Sequence, residues 1–208
     1  MKVRLYVEGG PKGAHADGLR SFRNGFKEHL VRLDSRLHTL EVSPCGSTDE
    51  TIRDYAHALR ENRPDCIVVL LVDSDAPVTA PTPAKHLQAK LDSAKVPASA
   101  RENLFLMVQC MEAWLVTDAD ALEKCFGKKL NRKALPPSPD IEVVSKKDVL
   151  DALASAVKQT PSGTYHKIQH GAKILAELKP DLVGKRSAHA RELHSFLRDS
   201  AQASRAGI

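Results

Sequence analysis

The sequence predicts an α/β fold: a mostly parallel four-stranded sheet flanked by helices, with a C-terminal helical extension. Three observations carry this. Short apolar or alternating runs at residues 2–7, 38–42, 66–72 and 104–108 read as strands, and helical periodicity separates each from the next. The third run, CIVVLLV, is apolar throughout, as a parallel strand covered on both faces is. Strands alternating with helices favour parallel pairing through right-handed crossovers.

Taken in order, residues 2–7 alternate and then meet Gly9-Gly10-Pro11, a strand ending at a glycine-rich turn. Leu19, Phe22, Phe26, Leu30 and Leu33 recur at helical spacing and predict a helix over 15–34. Ser47 or Thr48, followed by Asp49 and Glu50, signals the start of a helix running to about residue 61. After the third strand, Pro-rich residues 76–83 read as an irregular loop, and 85–94 as a helix. Residues 111–125 read as one helix following the fourth strand. The Pro- and Lys-rich stretch 128–145 reads as an exposed connection, and 146–158, 170–178 and 188–201 as helices. The expected organisation is therefore a core over residues 1–127, with a linker and helical extension over 128–208 packing on the same domain.

Composition narrows the class. Hydrophobic residues make up 42% of the chain and aromatics only 4%, so the core must rest on Val, Leu, Ile and Ala. No apolar run approaches the ~20 residues of a membrane helix, and residues 1–7 lack the pattern of a secretory signal. Four widely spaced cysteines form no C-x-x-C pair and read as reduced thiols. A cytoplasmic location without membrane association is expected. A net charge of +5 suits a polyanionic partner without requiring one.

The chemistry-bearing residues lie at strand ends. Glu8 closes the first strand and Asp73 and Asp75 follow the third, where ligands bind in open parallel sheets. Residues two apart on an extended chain point the same way, so both aspartates can face one cation while Ser74 faces away. Three carboxylates gathered there repel unless a cation neutralises them. Oxygen ligands without a matching Cys or His cluster favour Mg²⁺ or Mn²⁺ over Zn²⁺. A lone acid after a strand simply ends it in water; an E-G-G turn and a D-x-D at two corresponding strand ends say more.

Val7-Glu8-Gly9 together with Val72-Asp73-Ser74-Asp75 resembles the Toprim domain. That domain is shared by bacterial primases, type IA and type II topoisomerases, small RNase-like nucleases and the nucleases of the overcoming-lysogenization-defect family. The resemblance implies a Toprim-like (Rossmann-like) core in which Glu8, Asp73 and Asp75 hold magnesium for phosphodiester chemistry. A narrower resemblance spans nearly the whole chain. Met111-Glu112-Ala113-Trp114-Leu115, with Asp118, is similar to the M-E-x-W-L-x-x-D signature of a prokaryotic Toprim-like group catalogued as domain of unknown function 4276. Tyr165, Lys167 and Gly171 resemble its late Y-x-K-x-x-x-G segment. The resemblance implies Glu112 as a fourth acid, Lys167 as a catalytic cation, DNA or RNA as substrate, and an ATPase partner in phage defence; a homodimer is a further partner expectation. One departure stands out: where the overcoming-lysogenization-defect nucleases carry a second acid four residues after the glutamate, this chain has Lys12. Asp17 or Glu112 would then have to supply the missing ligand of a two-metal site.

Each residue also has a structural role to weigh. Glu112 in a first helical turn is favoured by the helix dipole alone, Trp114 suits a core anchor, and Asp118 either a helix surface or a helix cap. Lys167 and His170 fit a solvated helix end as well as a phosphate grip. Lys12, His15, Arg20 and Arg23 follow the glycine turn and suit either a phosphate-binding entrance or scattered surface charge. No Walker loop, G-x-G-x-x-G, H-E-x-x-H or G-x-S-x-G motif occurs. Two function classes follow: a Mg²⁺-dependent nuclease or related phosphodiester-processing enzyme, and a non-catalytic sensor or adaptor that binds nucleic acid or a nucleotide. A D-x-D glycosyltransferase needs a larger domain, and a haloacid-dehalogenase phosphatase needs a D-x-D-x-T continuation that Asp73-Ser74-Asp75-Ala76-Pro77 lacks.

Overall fold

The structure, a computed structural model, describes residues 2–10, 16–61, 63 and 65–206. Lys12 and His15 lie outside the described residues.

Strands β1 (Lys2–Val7), β2 (Glu41–Pro44), β3 (Cys66–Asp73) and β4 (Leu104–Met107) form one parallel sheet in the order β2-β1-β3-β4. Helix α1 (Ala16–Leu33) joins β1 to β2, and α2 (Thr48–Arg60) crosses from β2 to β3. Two short helices, α3 (Pro83–His86) and α4 (Gln88–Ser93), lie between β3 and β4. Helices α5 (Met111–Leu115) and α6 (Ala119–Phe126) follow the sheet. The C-terminal helical extension comprises α7 (Lys146–Val157), α8 (Lys167–Glu177), α9 (Pro180–Arg186) and α10 (Ala188–Ala206).

The continuous apolar run of β3 is explained by its two faces. Val69 and Leu71 join the core shared with α1, α5 and the C-terminal helices, while Leu70 and Val72 pack with Ile52, Tyr55 and Leu91 on the opposite side. A parallel strand sandwiched in this way has no polar face to display. The extension is built into the first of these cores. Gly25 of α1 lets the backbone of α8 approach so closely that an added Cβ would stand 2.5 Å from the Ala172 carbonyl oxygen. Phe196 of α10 packs against Phe105 of β4, with ring centroids 5.1 Å apart.

Local chemistry shifted several expected boundaries. The strand expected at 38–42 is a 3-10 turn, Ser35–Thr39, followed by β2; the Asp34 side chain caps that turn by accepting from the Arg36 N–H. The single helix expected over 111–125 is two, because Asp118 interrupts it and caps α6 through the N–H groups of Asp120 and Ala121. The helix expected over 85–94 breaks at Leu87 into α3 and α4, with Pro83 at the start of α3. Helix α8 starts at Lys167 rather than His170, and α9 was not anticipated. The stretch 128–145 was expected to be exposed, yet Leu130 and Ile141 are buried in the core. Two spaced apolar residues among prolines carry no periodic signal.

Candidate functional site

The topology sets where the site lies. From β1 the chain winds outward to β2, and from β3 outward to β4 on the other side. The crevice between the carboxyl ends of β1 and β3 is the switch point at which such sheets bind ligands. Glu8 leaves β1 there and Asp73 ends β3 there. The turn behind Glu8 needs glycine: Gly9 has φ 120°, and a Cβ on it would meet the Phe22 ring at 2.6 Å.

Each acid is held by specific donors. Glu8 Oε2 accepts from Thr48 Oγ1 at 2.8 Å and from the Asp73 backbone N–H at 3.1 Å, which ties β1, α2 and β3 together. Asp73 is buried, 4% exposed, and its Oδ1 accepts from the Met111 N–H at 2.9 Å. That bond seats the first turn of α5 against β3 and brings Glu112 within reach of the same lysine as Asp73. Glu112 is 3% exposed, and its Oε1 accepts from the Tyr165 hydroxyl at 3.2 Å. Lys167 Nζ stands between the two buried acids, 3.7 Å from Asp73 Oδ2 and 3.8 Å from Glu112 Oε2.

The electrostatics follow from burial. Asp73 is pushed up to about 7 by desolvation; Lys167 opposes the shift, and Glu8 and Glu112 add to it. Burial also raises Glu8, against the hydrogen bonds from Thr48 and Asp73. Burial alone would lower the Lys167 ammonium, but Glu112 and Asp73 outweigh it and hold the group above its ordinary value.

Asp75 is placed differently from its partner. Strand β3 ends at Asp73, the Ser74 and Asp75 N–H groups still donate to the Met107 and Gln109 carbonyls, and Asp75 has φ 57°. The alternation expected of a D-x-D on an extended chain is therefore broken at Asp75. Asp75 Oδ1 pairs with Lys146 Nζ at 2.6 Å, and Ser74 Oγ donates to the Ala76 carbonyl at 2.6 Å. Thr48, Asp73, Asp75, His86 and Lys90 line a cleft of about 230 Å³ beside the acids. Among the described residues, no three His, Cys, Asp or Glu side chains stand together as a formed metal cluster.

Three contributors escaped sequence reasoning: Thr48, Tyr165 and Lys146. Thr48 follows the Ser47 cap of α2 and looked like helix-start chemistry only. Tyr165 belonged to the quoted Y-x-K-x-x-x-G segment without an assigned role. The segment now has a steric explanation: a Cβ at Gly171 would lie 3.1 Å from the Tyr165 hydroxyl and 3.2 Å from Met111 Cε. Of the remaining candidates, Trp114 is fully buried, Asp118 is the α6 cap, and Arg20 and Arg23 are exposed on α1. His170 accepts the His166 N–H through Nδ1 at 3.0 Å.

A family model described as Domain of unknown function (DUF4276) matches residues 21–198. Asp73, Asp75, Glu112, Tyr165 and Lys167 lie inside that span; Glu8 precedes it. No curated protein and no solved structure matches the chain.

Proposed function

The chain belongs to the DUF4276 family, and from its buried carboxylates we propose that it is a Toprim-type, Mg²⁺- or Mn²⁺-dependent enzyme that processes phosphodiester bonds in DNA or RNA. One observation carries this reading. Glu8 meets Asp73 at the carboxyl end of the sheet, Asp73 is pushed up to about 7 by burial, with Glu8 and Glu112 adding to the shift, and a single ammonium serves the two buried acids Asp73 and Glu112. Such an arrangement has a standing electrostatic cost that a divalent cation would relieve. The donor set is all carboxylate, which fits a hard cation. Glu8, Asp73 and Glu112 are the residues that would hold it, with Asp75 reaching the same cleft from its pairing with Lys146. Polarisation of a phosphoryl oxygen and activation of water are the chemistry that Mg²⁺ supplies when bound. Lys167, released from the acids, would carry its charge to a non-bridging phosphate oxygen. Tyr165 keeps Glu112 oriented, and Thr48 does the same for Glu8.

The test is cleavage of single- and double-stranded DNA and RNA in Mg²⁺ or Mn²⁺, alone and with candidate ATPase partners. Activity that disappears in Asp73→Asn and Glu8→Gln supports the reading; absence of metal-stimulated cleavage under every condition defeats it. A second reading, a non-catalytic sensor that binds nucleic acid or a nucleotide, is favoured by one observation: Lys167 already serves as counter-cation to Asp73 and Glu112. Calorimetry that detects ligand binding without turnover selects it. A cytoplasmic location, a homodimer and an ATPase partner remain parts of this proposal; among the described residues, no helix is long and apolar enough to cross a membrane.

A further inference from the structure

Three buried ring nitrogens have no hydrogen-bond partner within the protein: His29 Nε2, Trp114 Nε1 and His194 Nε2. They are the only buried side-chain nitrogen or oxygen atoms left so among the described residues, and all three belong to one cluster. The ring centroids are 6.0 Å apart for His29 and Trp114, 5.5 Å for His29 and His194, and 6.2 Å for Trp114 and His194. The rings come from α1, α5 and α10, and none is more than 3% exposed. A buried polar group left without a partner keeps the whole of its desolvation penalty. Three chance omissions at a single point in an otherwise satisfied core are improbable against that penalty.

The hydrogen-bonding roles at the cluster can be assigned. His29 Nδ1 lies 3.1 Å from the Leu178 carbonyl oxygen. A carbonyl only accepts, so Nδ1 carries the hydrogen and Nε2 presents a lone pair. Trp114 Nε1–H only donates. His194 Nε2 can take either role through its tautomer. What fits must therefore accept from one neighbour and donate to another. An anion would find a single obligatory donor. A metal ion would find no lone pair on the indole N–H.

We propose that this cluster is a binding site for one internal water molecule. It accepts from Trp114 Nε1–H, donates to His29 Nε2, and completes its bonding with His194 Nε2. Three hydrogen bonds are what a buried water ordinarily makes. The water ties α1, α5 and α10 together, and Trp114 lies on the same helix as Glu112, two residues from it. Through His29 it also braces Leu178, where α8 ends. The inference does not depend on the proposed enzymatic activity.

The chain has a single tryptophan, so its indole N–H gives one side-chain resonance in the ¹⁵N-labelled full-length protein. A rotating-frame cross-peak from that proton to water, of the sign of dipolar contact rather than exchange, is expected. Long-range ¹H–¹⁵N spectra are expected to show His29 as the Nδ1–H tautomer. Absence of the water cross-peak overturns the site, as does a scalar coupling across a direct hydrogen bond from Trp114 to either histidine. In His194→Phe the apolar ring removes one partner, and loss of the cross-peak is expected. A cross-peak that persists unchanged in a folded His194→Phe protein also overturns the proposal. The wild-type spectrum decides the matter even if that variant does not fold.

Discussion

The Tyr165 hydroxyl donates to Glu112 Oε1 at 3.2 Å, joining the segment that leads into α8 to the first turn of α5 across 53 residues of chain. The bond satisfies a buried carboxylate and holds Lys167, two residues further on, against Asp73 and Glu112. The geometry of the crevice is thus shared between the sheet and the C-terminal extension.

Tyr165→Phe removes the donor and leaves Glu112 buried with one partner fewer. The expected loss is about 1–3 kcal/mol, the cost of an unsatisfied buried acceptor. Urea unfolding checks it: the midpoint falls while the slope stays the same. Wild-type stability in the variant would mean that the hydroxyl does not orient Glu112.

Gly25→Ala opposes two effects. Alanine gains about 1 kcal/mol in helix propensity over glycine. The new Cβ, however, would lie 2.5 Å from the Ala172 carbonyl oxygen, and backbone cannot swing aside as a flexible side chain can. Overpacking of this kind costs about 1–3 kcal/mol, so net destabilisation through separation of α1 from α8 is expected. A raised melting temperature would contradict this.

Lys167→Met leaves Asp73 and Glu112 without their shared cation. The folded pKa of Asp73, already about 7, rises further. A carboxyl whose folded pKa lies above its unfolded value favours the folded state at low pH and weakens it as pH rises through the folded pKa. The variant is therefore expected to lose more stability at pH 8 than at pH 5. If the proposed metal site is correct, Mg²⁺ or Mn²⁺ also raises its melting temperature more than that of the wild type. Equal metal responses in the two proteins would separate Lys167 from the cation site.

The buried histidines predict acid sensitivity. Burial lowers His29 to about 4 and His194 to about 3. Both are neutral when folded but take up protons near pH 6.5 when unfolded. Their contribution is complete above pH 6.5 and is lost as pH falls toward 4 and then 3. Asp73 acts in the opposite sense over the upper part of that range. In His194→Gln, the decline in the urea midpoint between pH 6.5 and pH 4 is expected to be shallower. An unchanged decline would show that His194 does not titrate with folding.

The parallel sheet was legible because period-two and continuous apolar runs reflect which strand faces are covered. β3 shows this directly, with Leu70 and Val72 in one core and Val69 and Leu71 in the other. Breaks within helices were less legible. Asp118 fits either a helix surface or a cap, and only the path of the chain makes it accept from Asp120 and Ala121. At the candidate site, the meeting of Glu8 and Asp73 followed from strand-end position. The turning of Asp75 toward Lys146 did not, because it depends on a left-handed residue at 75 and a lysine 71 residues away.

By itself the sequence determined the alternation of four strands with helices, the acidic character of the strand ends and the short list of carboxylates, since each rests on local pattern and residue chemistry. Only the tertiary structure decided that Lys167 stands between the buried acids Asp73 and Glu112, and that Tyr165 holds Glu112 and Thr48 holds Glu8 in place. These are contacts between distant segments. Their energies come from burial and hydrogen-bond direction, which exist only once the chain has packed.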